Sequence, residues 1–345
     1  MGNGVDFSPL GGGLNIADLA KETEELLFWM ASYGKQEHGG VTRLLYSEDW
    51  LRAQRALALK MEQWGMSASF DQVGNLFGRL EGSDRGKKAV LTGSHIDTVK
   101  NGGLYDGAFG IAAGMVALKY LKRHFGTPKR SLEAISLCEE EGDRFPMTYW
   151  GSGSITGSRG FEQIAEMTDG DGVPFEEAMK KCGFGKGTYR DSRRDDIAAF
   201  IELHVEQGIV LERKNKPIGI VDAIVGQRRY TFQVTGEANH AGTTPMIWRK
   251  DAVGGASEMI RRLLNAAQDE GEPMVATVGR IEVEPNVANV IPGKVTFTAD
   301  IRHPERGGAE VLLRTVLSRI HGDCRAAGPC AASRAVDGCV SGSDG

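Results

Sequence analysis

Cysteine is scarce in this chain: five in 345 residues. Cys138 and Cys182 sit in ordinary sequence, whereas Cys324, Cys330 and Cys339 crowd towards the end. No CxxC pair occurs, which argues against a structural zinc knuckle and leaves a reducing, cytoplasmic compartment as the expectation. Long apolar runs are also missing; none reaches the length of a membrane span, so no membrane partner is expected. Charge of one sign is not in excess. With 41 basic against 46 acidic residues the net charge is −5, which gives no reason to expect nucleic acid or an anionic lipid surface as partner. The segment Met1 to Asn15 is glycine-rich and lacks a basic stretch followed by an apolar core, so no secretory signal is expected. What remains is a composition of 41% hydrophobic and 25% charged residues, ordinary for a water-soluble chain long enough to form two cores.

Hydrophobic periodicity divides the chain. Helical patterns run from Ile16 to Tyr33 and from Glu48 to Trp64, each stopped by a glycine, Gly34 and Gly65. Ser69 to Leu80 reads as a strand pair around Gly74-Asn75. A β-α-β rhythm follows: strands at Lys88–Thr92, Leu132–Cys138 and Ala198–His204, with a long apolar helix at Gly107–His124. This alternation predicts an α/β sheet with helices on its faces. After Val225 the texture changes. Strands at Arg229–Thr235, Val275–Val283 and Lys294–Arg302 and helices at Asp251–Asp269 and Ala309–Ile320 give most of a ferredoxin-like α+β sandwich whose last strand is weak or absent. The expected division is 1–224 for a catalytic α/β domain, 225–329 for the smaller domain and 330–345 for an irregular tail.

Four segments carry candidate chemistry: Gly93-Ser94-His95-Ile96-Asp97-Thr98 after a strand, Tyr105-Asp106-Gly107 opening a helix, Glu139-Glu140-Glu141-Gly142 after a strand, and Leu203-His204-Val205-Glu206 at a strand end. All fall at the carboxyl edge of the expected sheet, where open α/β folds bind ligands. His95, Asp106, Glu141 and His204 are ligands suited to zinc, manganese or cobalt, and a carboxylate such as Asp106 has the two oxygens needed to bridge two ions. Asp97 is placed to accept the second ring N–H of His95. Glu140 and Glu141 are neighbours; in an extended segment they point opposite ways, one to a metal and one to a water. Each feature alone has an ordinary reading, as a solvated acidic run or a favourable charge at a helix start, and the spacing leaves both readings open. In the second domain Arg228, Arg302, His240 and Asn289 are candidates: paired arginines to grip a carboxylate, and His240 with Asn289 to donate to an oxyanion. Arginines on half-buried strands also simply face solvent.

The series GSHIDTV, LYDGAFG, EEEG, ELHVEQG and GQRRYTFQVTGEANHAGTTPM resembles the M20 amidohydrolase family, in the subgroup of allantoate hydrolases, N-carbamoyl-L-amino-acid hydrolases and β-ureidopropionases, from about Gly40 to Pro304. Thr42-Arg43-Leu44-Leu45-Tyr46-Ser47, Arg144-Phe145-Pro146 and Tyr149-Trp150-Gly151-Ser152 look most like the allantoate branch. The resemblance implies a catalytic α/β domain with a lid that also forms a homodimer, two divalent ions (Zn²⁺ or Mn²⁺), and a small ureido acid substrate hydrolysed at a C–N bond. It implies His95, Asp106 and His204 as ligands of one ion with Asp106 bridging, Glu141 as a ligand of the second, and Glu140 as general base. It also implies His240 as an oxyanion donor to the partner subunit's site, and Arg228, Asn289 and Arg302 as substrate contacts. After Arg302-His303-Pro304 the match fades. Neither His303 nor His321 sits in the family's final histidine motif, so a C-terminally truncated or frameshifted chain is expected, with its second metal site weakened. The competing expectations are an N-carbamoyl-L-amino-acid hydrolase and an inactive metal-binding dimer.

Overall fold

Asn15 opens the first helix by accepting the Ala17 N–H, and helix α1 (Ile16–Ala31) buries Leu26, Leu27, Met30 and Ala31. The computed structural model describes residues 15–305, 307–308, 311, 314 and 341–344. Ser47 caps α2 (Glu48–Gln63) on the Trp50 N–H. Trp50, Ala53, Gln54, Leu57 and Met61 recur at helical spacing and are buried. Strands β1 (Ser67–Phe70) and β2 (Leu76–Leu80) form the expected antiparallel pair. Asp71 closes their turn by accepting from the Val73 and Asn75 amides.

Strand β3 (Ala89–His95), helix α3 (Ala108–Phe125) and strand β4 (Leu132–Leu137) make the β-α-β unit, and β5 (Ile197–Ile201) completes a five-stranded sheet in the order β1-β2-β4-β3-β5. β3 runs parallel to both neighbours, whereas β2 is antiparallel to β4. The register sets His95 opposite Leu137 and Thr92 opposite Ile201, so the segments that follow β3, β4 and β5 leave the sheet at one edge. Two short helices between β4 and β5, α4 (Trp150–Thr156) and α5 (Phe175–Lys181), have no counterpart in the periodicity. Seven residues are too few to show a period, and each is anchored by one fully buried aromatic, Trp150 or Phe175. A four-residue helix, α6 (Val210–Arg213), follows β5.

The chain divides into two compact units, Met1–Lys216 and Pro217–Gly345. The change of texture at Val225 marks the first strand of the second unit, and the stretch 217–225 before it holds neither helix nor strand. In this unit β6 (Gly226–Thr235), β7 (Asn239–His240), α7 (Ala252–Glu270), β8 (Val275–Glu284), β9 (Val290–Ile291), β10 (Lys294–His303) and β11 (Ser341–Asp344) follow in turn. The sheet order is β11-β6-β10-β8, fully antiparallel, with β7 and β9 paired separately. Asp251 caps α7 on the Val253 and Gly254 amides, and α7 lays Met259 and Leu263 on Phe232, Val234, Phe297 and Ile301. Within the stretch expected to be an irregular tail, 330–345, residues 341–344 pair with the edge of β6. Ser-Gly-Ser-Asp has no apolar alternation to betray a strand; the open edge of β6 supplies the reason for pairing. Cys324, Cys330, Cys339, His321 and most of the helix expected at 309–320 lie outside the described residues. Among the described residues no helix is long and apolar enough to cross a membrane.

Leu57 is fully buried on α2 in the first core. Leu57→Ala is expected to lower the stability of this unit by about 2–5 kcal/mol, the usual cost of such a cavity, measured by urea unfolding; a loss below ~1 kcal/mol would contradict the packing described.

Candidate metal centre

His95 ends β3 and is almost wholly buried. Asp106 precedes Gly107, the residue from which α3 starts at φ +62°. A Cβ on Gly107 would lie 2.4 Å from the His95 carbonyl oxygen and 2.6 Å from its ring, so only glycine lets the helix start approach the strand end. His204 follows β5. Its Nε2 lies 3.4 Å from Asp106 Oδ1, and His95 Nε2 lies 3.7 Å from the same oxygen. The two imidazoles stack with centroids 5.9 Å apart.

The protons on these rings follow from their other nitrogens. His95 Nδ1 is 3.0 Å from the Asp97 carbonyl and 3.2 Å from its Oδ1; His204 Nδ1 is 2.8 Å from the Val205 carbonyl. A carbonyl only accepts, so each Nδ1 carries a hydrogen, and Nε2 is the nitrogen that each ring turns towards Asp106 to offer its lone pair to a ligand. Asp106 Oδ1 is buried and has no hydrogen-bond partner. Two lone pairs and an unpaired carboxylate oxygen meeting at one point is an arrangement that fits a cation. Without an ion the same carboxylates favour a second proton on His95: burial opposes the charge, yet Asp106, Asp97 and Glu140 outweigh it and raise its pKa well above the usual value, and a bound cation would take the place of that proton.

The acidic segment is a turn, not an extended run. The Gly142 N–H donates to Glu139 Oε1, with Gly142 at φ +70°. Asp97 accepts the Glu140 N–H at 3.1 Å on each oxygen and the Glu141 N–H at 3.0 Å. The turn brings Glu140 and Glu141 to the same space as His95, with one ligand atom from each within 4.8 Å of the others, rather than to opposite sides. His95, Asp106 and His204 form a second such group. Glu141 is pushed up to about 7 by burial and by the neighbouring Asp106 and Glu140 carboxylates. Glu140 is raised by burial and by Asp97 and Asp106, with His95 opposing.

Gln207 was not singled out from the sequence. It takes a left-handed φ of +55° and donates to Asp106 Oδ2 at 2.7 Å. A non-glycine residue in that conformation is a mark of local constraint that no pattern of residue types reveals.

In the second unit His240 and Asn289 come together: β7 pairs with β9, and the Ala241 N–H donates to the Asn289 carbonyl. His240 Nδ1 accepts the Gly242 N–H at 3.0 Å, so its exposed Nε2 carries the hydrogen. Arg228 and Arg302 are not brought together. Arg228 pairs with Ile301 and Arg302 with Gln227, and directly opposed residues share a face, so the two arginines project from opposite faces of the sheet. The paired clamp expected from the sequence is therefore not formed by these two residues.

Residues 91–306 match the profile of peptidase family M20/M25/M40. The chain is 50% identical over 296 residues to the allantoate amidohydrolase of Bacillus subtilis (strain 168), covering 86% of this chain and 72% of that protein. It is 45% identical over 311 residues to the allantoate amidohydrolase of Escherichia coli (strain K12), covering 90% and 75%. Its structure is similar to a hydantoinase/carbamoylase family amidase from Burkholderia ambifaria, with a TM-score of 0.84 at 33% identity, covering 94% of this chain and 77% of that one. With its strand-end histidines and acidic turn inside the matched region, the chain belongs to peptidase family M20/M25/M40.

Proposed function

We propose that this chain hydrolyses a ureido C–N bond of a small ureido acid with the help of bound divalent metal, and that allantoate is the substrate, giving ureidoglycine, ammonia and carbon dioxide. The observation that carries the reading is the unpaired Asp106 Oδ1 between the Nε2 atoms of His95 and His204, with the acidic turn beside it. Identity to the two bacterial relatives supports allantoate over N-carbamoyl-L-amino acids; the likeness to a carbamoylase-family amidase keeps the latter as the second reading.

In this reading His95, Asp106 and His204 would hold one ion, and Glu141 would serve as a ligand of a second; imidazole and carboxylate suit zinc or manganese. When bound, such ions polarise a carbonyl and make water acidic enough to attack at neutral pH. Glu140 takes the proton of the attacking water and passes it to the departing nitrogen as the C–N bond breaks. Its raised pKa moves it towards the range where it can do both. Asp97 fixes the His95 tautomer and holds the backbone of Glu140. His240, whose Nε2 carries the hydrogen, donates to the oxyanion at the partner subunit's site, and Asn289 and Arg302 are substrate contacts, with Arg228, on the other face of its sheet, a separate one. The reading includes a homodimer.

A steady-state assay with allantoate and a panel of N-carbamoyl-L-amino acids, with Mn²⁺ or Zn²⁺ added, tests it; turnover confined to the carbamoyl amino acids would replace allantoate by the second reading. Glu140→Gln is expected to lower kcat by about 10²–10⁴-fold with metal content unchanged, since the amide cannot accept the water proton; activity within a few-fold of the parent removes Glu140 from this step.

Metal affinity should depend on pH through Glu141. With its carboxyl at about 7 without metal, a proton must leave before it can ligate, so binding releases a proton. Affinity should rise with pH through that value, up to about tenfold per pH unit from Glu141 alone, and continue to rise where His95, whose pKa is raised well above the usual value, must also give up a proton. The sign for folding is opposite. A carboxyl raised in the folded state favours its neutral form, so metal-free stability is greatest below the ordinary value of 4.5 and declines as pH rises through about 7. Titration calorimetry in buffers of different ionisation enthalpy reads the proton release; pH-independent affinity between pH 6 and pH 8 counts against this assignment of Glu141.

A further inference from the structure

The segment between α1 and α2, with the first turn of α2, carries none of the ligands, yet two of the three ligand-bearing segments of the first unit are tied to it. On one side the Val41 and Gly102 backbones exchange hydrogen bonds at 3.0 and 2.8 Å, and the Asn101 N–H donates to Thr42 Oγ1 at 2.9 Å. These bonds pin the loop that runs from His95 to Asp106. On the other side Arg144 Nη1 donates to the Leu45 carbonyl at 2.8 Å, Trp150 Nε1 to the Tyr46 hydroxyl at 3.0 Å, and Trp50 Nε1 to the Cys138 carbonyl at 2.9 Å. These pin the loop that carries Glu140 and Glu141. The sequence signatures around Thr42–Ser47, Arg144–Pro146 and Tyr149–Ser152 are therefore structural partners of one another.

Arg43 is the centre of this brace and is 1% exposed. Its Nε donates to the Ile96 carbonyl at 2.8 Å, and its Nη1 reaches the Met30 and Tyr33 carbonyls at 3.2 and 3.3 Å. Its backbone N–H donates to Thr98 Oγ1 at 2.9 Å and its carbonyl accepts the Thr98 N–H at 3.1 Å. Ile96 lies between His95 and Asp97, so the guanidinium holds the peptide that connects the metal-facing imidazole to the carboxylate orienting it. Burial pushes the Arg43 pKa down to about 10, with the Asp97 and Asp49 charges opposing, so it remains a cation at neutral pH. A buried cation whose described bonds all go to carbonyls is a costly way to fill space that a methionine would fill for less. Its planar fork reaches three carbonyls at once, two at the end of α1 and one after β3, in a fixed geometry that the compact ammonium of lysine does not have.

We propose that Arg43 is a positioning residue for the metal centre, holding the Ile96 carbonyl so that His95 and Asp97 keep the placement that binding a divalent ion requires. The proposal rests on the reading of His95, Asp106 and His204 as metal ligands. The test uses the full chain with Co²⁺ as probe, binding being read by calorimetry and by visible absorption. Arg43→Met is expected to weaken Co²⁺ binding by about 10–100-fold, the usual effect of removing an outer partner, and to change the absorption envelope while the far-ultraviolet dichroism is retained. Arg43→Lys should recover part of the affinity, because an ammonium still reaches one carbonyl. Thr98→Val removes the side-chain link to the Arg43 amide and should weaken binding several-fold; together with Arg43→Lys it carries the test if Arg43→Met does not fold. Leu57→Ala is the control for stability alone and should leave Co²⁺ affinity unchanged. Parental affinity in Arg43→Met, or in both other variants, overturns the proposal, as does an equal loss in Leu57→Ala. A parent chain that takes up no Co²⁺ overturns the metal-centre reading itself, and this proposal with it.

Discussion

One buried carboxylate joins the parts of the site. Asp97 leaves the end of β3, accepts the amides of Glu140 and Glu141 from the neighbouring strand's loop, and contacts the ring of the residue two before it, His95. Burial pushes its pKa up, but His95 and those amides outweigh burial and hold it below the usual carboxylate range. An ionised oxygen pair with two backbone donors and an imidazole is a strong, directional anchor. It converts the parallel register of β3 and β4, which only makes the two loops neighbours, into a defined placement of two ligand groups.

The site is built against its own charge. Glu139, Glu140 and Glu141 are all raised, with burial the largest cause in each, and Asp106 lies close by with an unpaired buried oxygen. Without a cation these carboxylates repel one another and share protons with His95. The surroundings supply rigidity in exchange: Gly107 lets α3 begin against the His95 carbonyl, the Glu139–Gly142 bond closes the acidic turn, and the segment 41–50 ties both loops to the core between α1 and α2. A cluster of like charges keeps its geometry only when the backbone beneath it is fixed by bonds that do not depend on the cluster.

The second unit shows how far residue types alone carry an argument. The βαββ order and the alternation of β6 and β10 give a helix packed on an antiparallel sheet, and the stacked Phe232 and Phe297 lie in its core. Arg228 and Arg302 looked like a pair because both are arginines at strand ends; the register separates them by one residue and hence by the thickness of the sheet. His240 looked like a donor only because of its neighbours in sequence. The Gly242 amide on Nδ1 is what leaves the hydrogen on the other nitrogen.

The sequence by itself determined the elements and the candidate ligands. Helical and alternating periodicity follow from which face each segment must bury, so α1, α2, α3, α7 and the main strands were legible, as was the position of His95, Glu140, Glu141 and His204 beside strand ends and of Asp106 at a helix start. The seven-residue helices α4 and α5 and the edge strand β11 were not, because they are held by single aromatic anchors or by an open sheet edge rather than by a repeating pattern. Only the tertiary structure decided that Glu140 and Glu141 share one space, that Gln207 reaches Asp106, and that Arg43 stands behind the strand end. Each of these depends on a hydrogen bond between segments from 43 to 101 positions apart, and a bond at that separation leaves no periodic trace in the order of the residues.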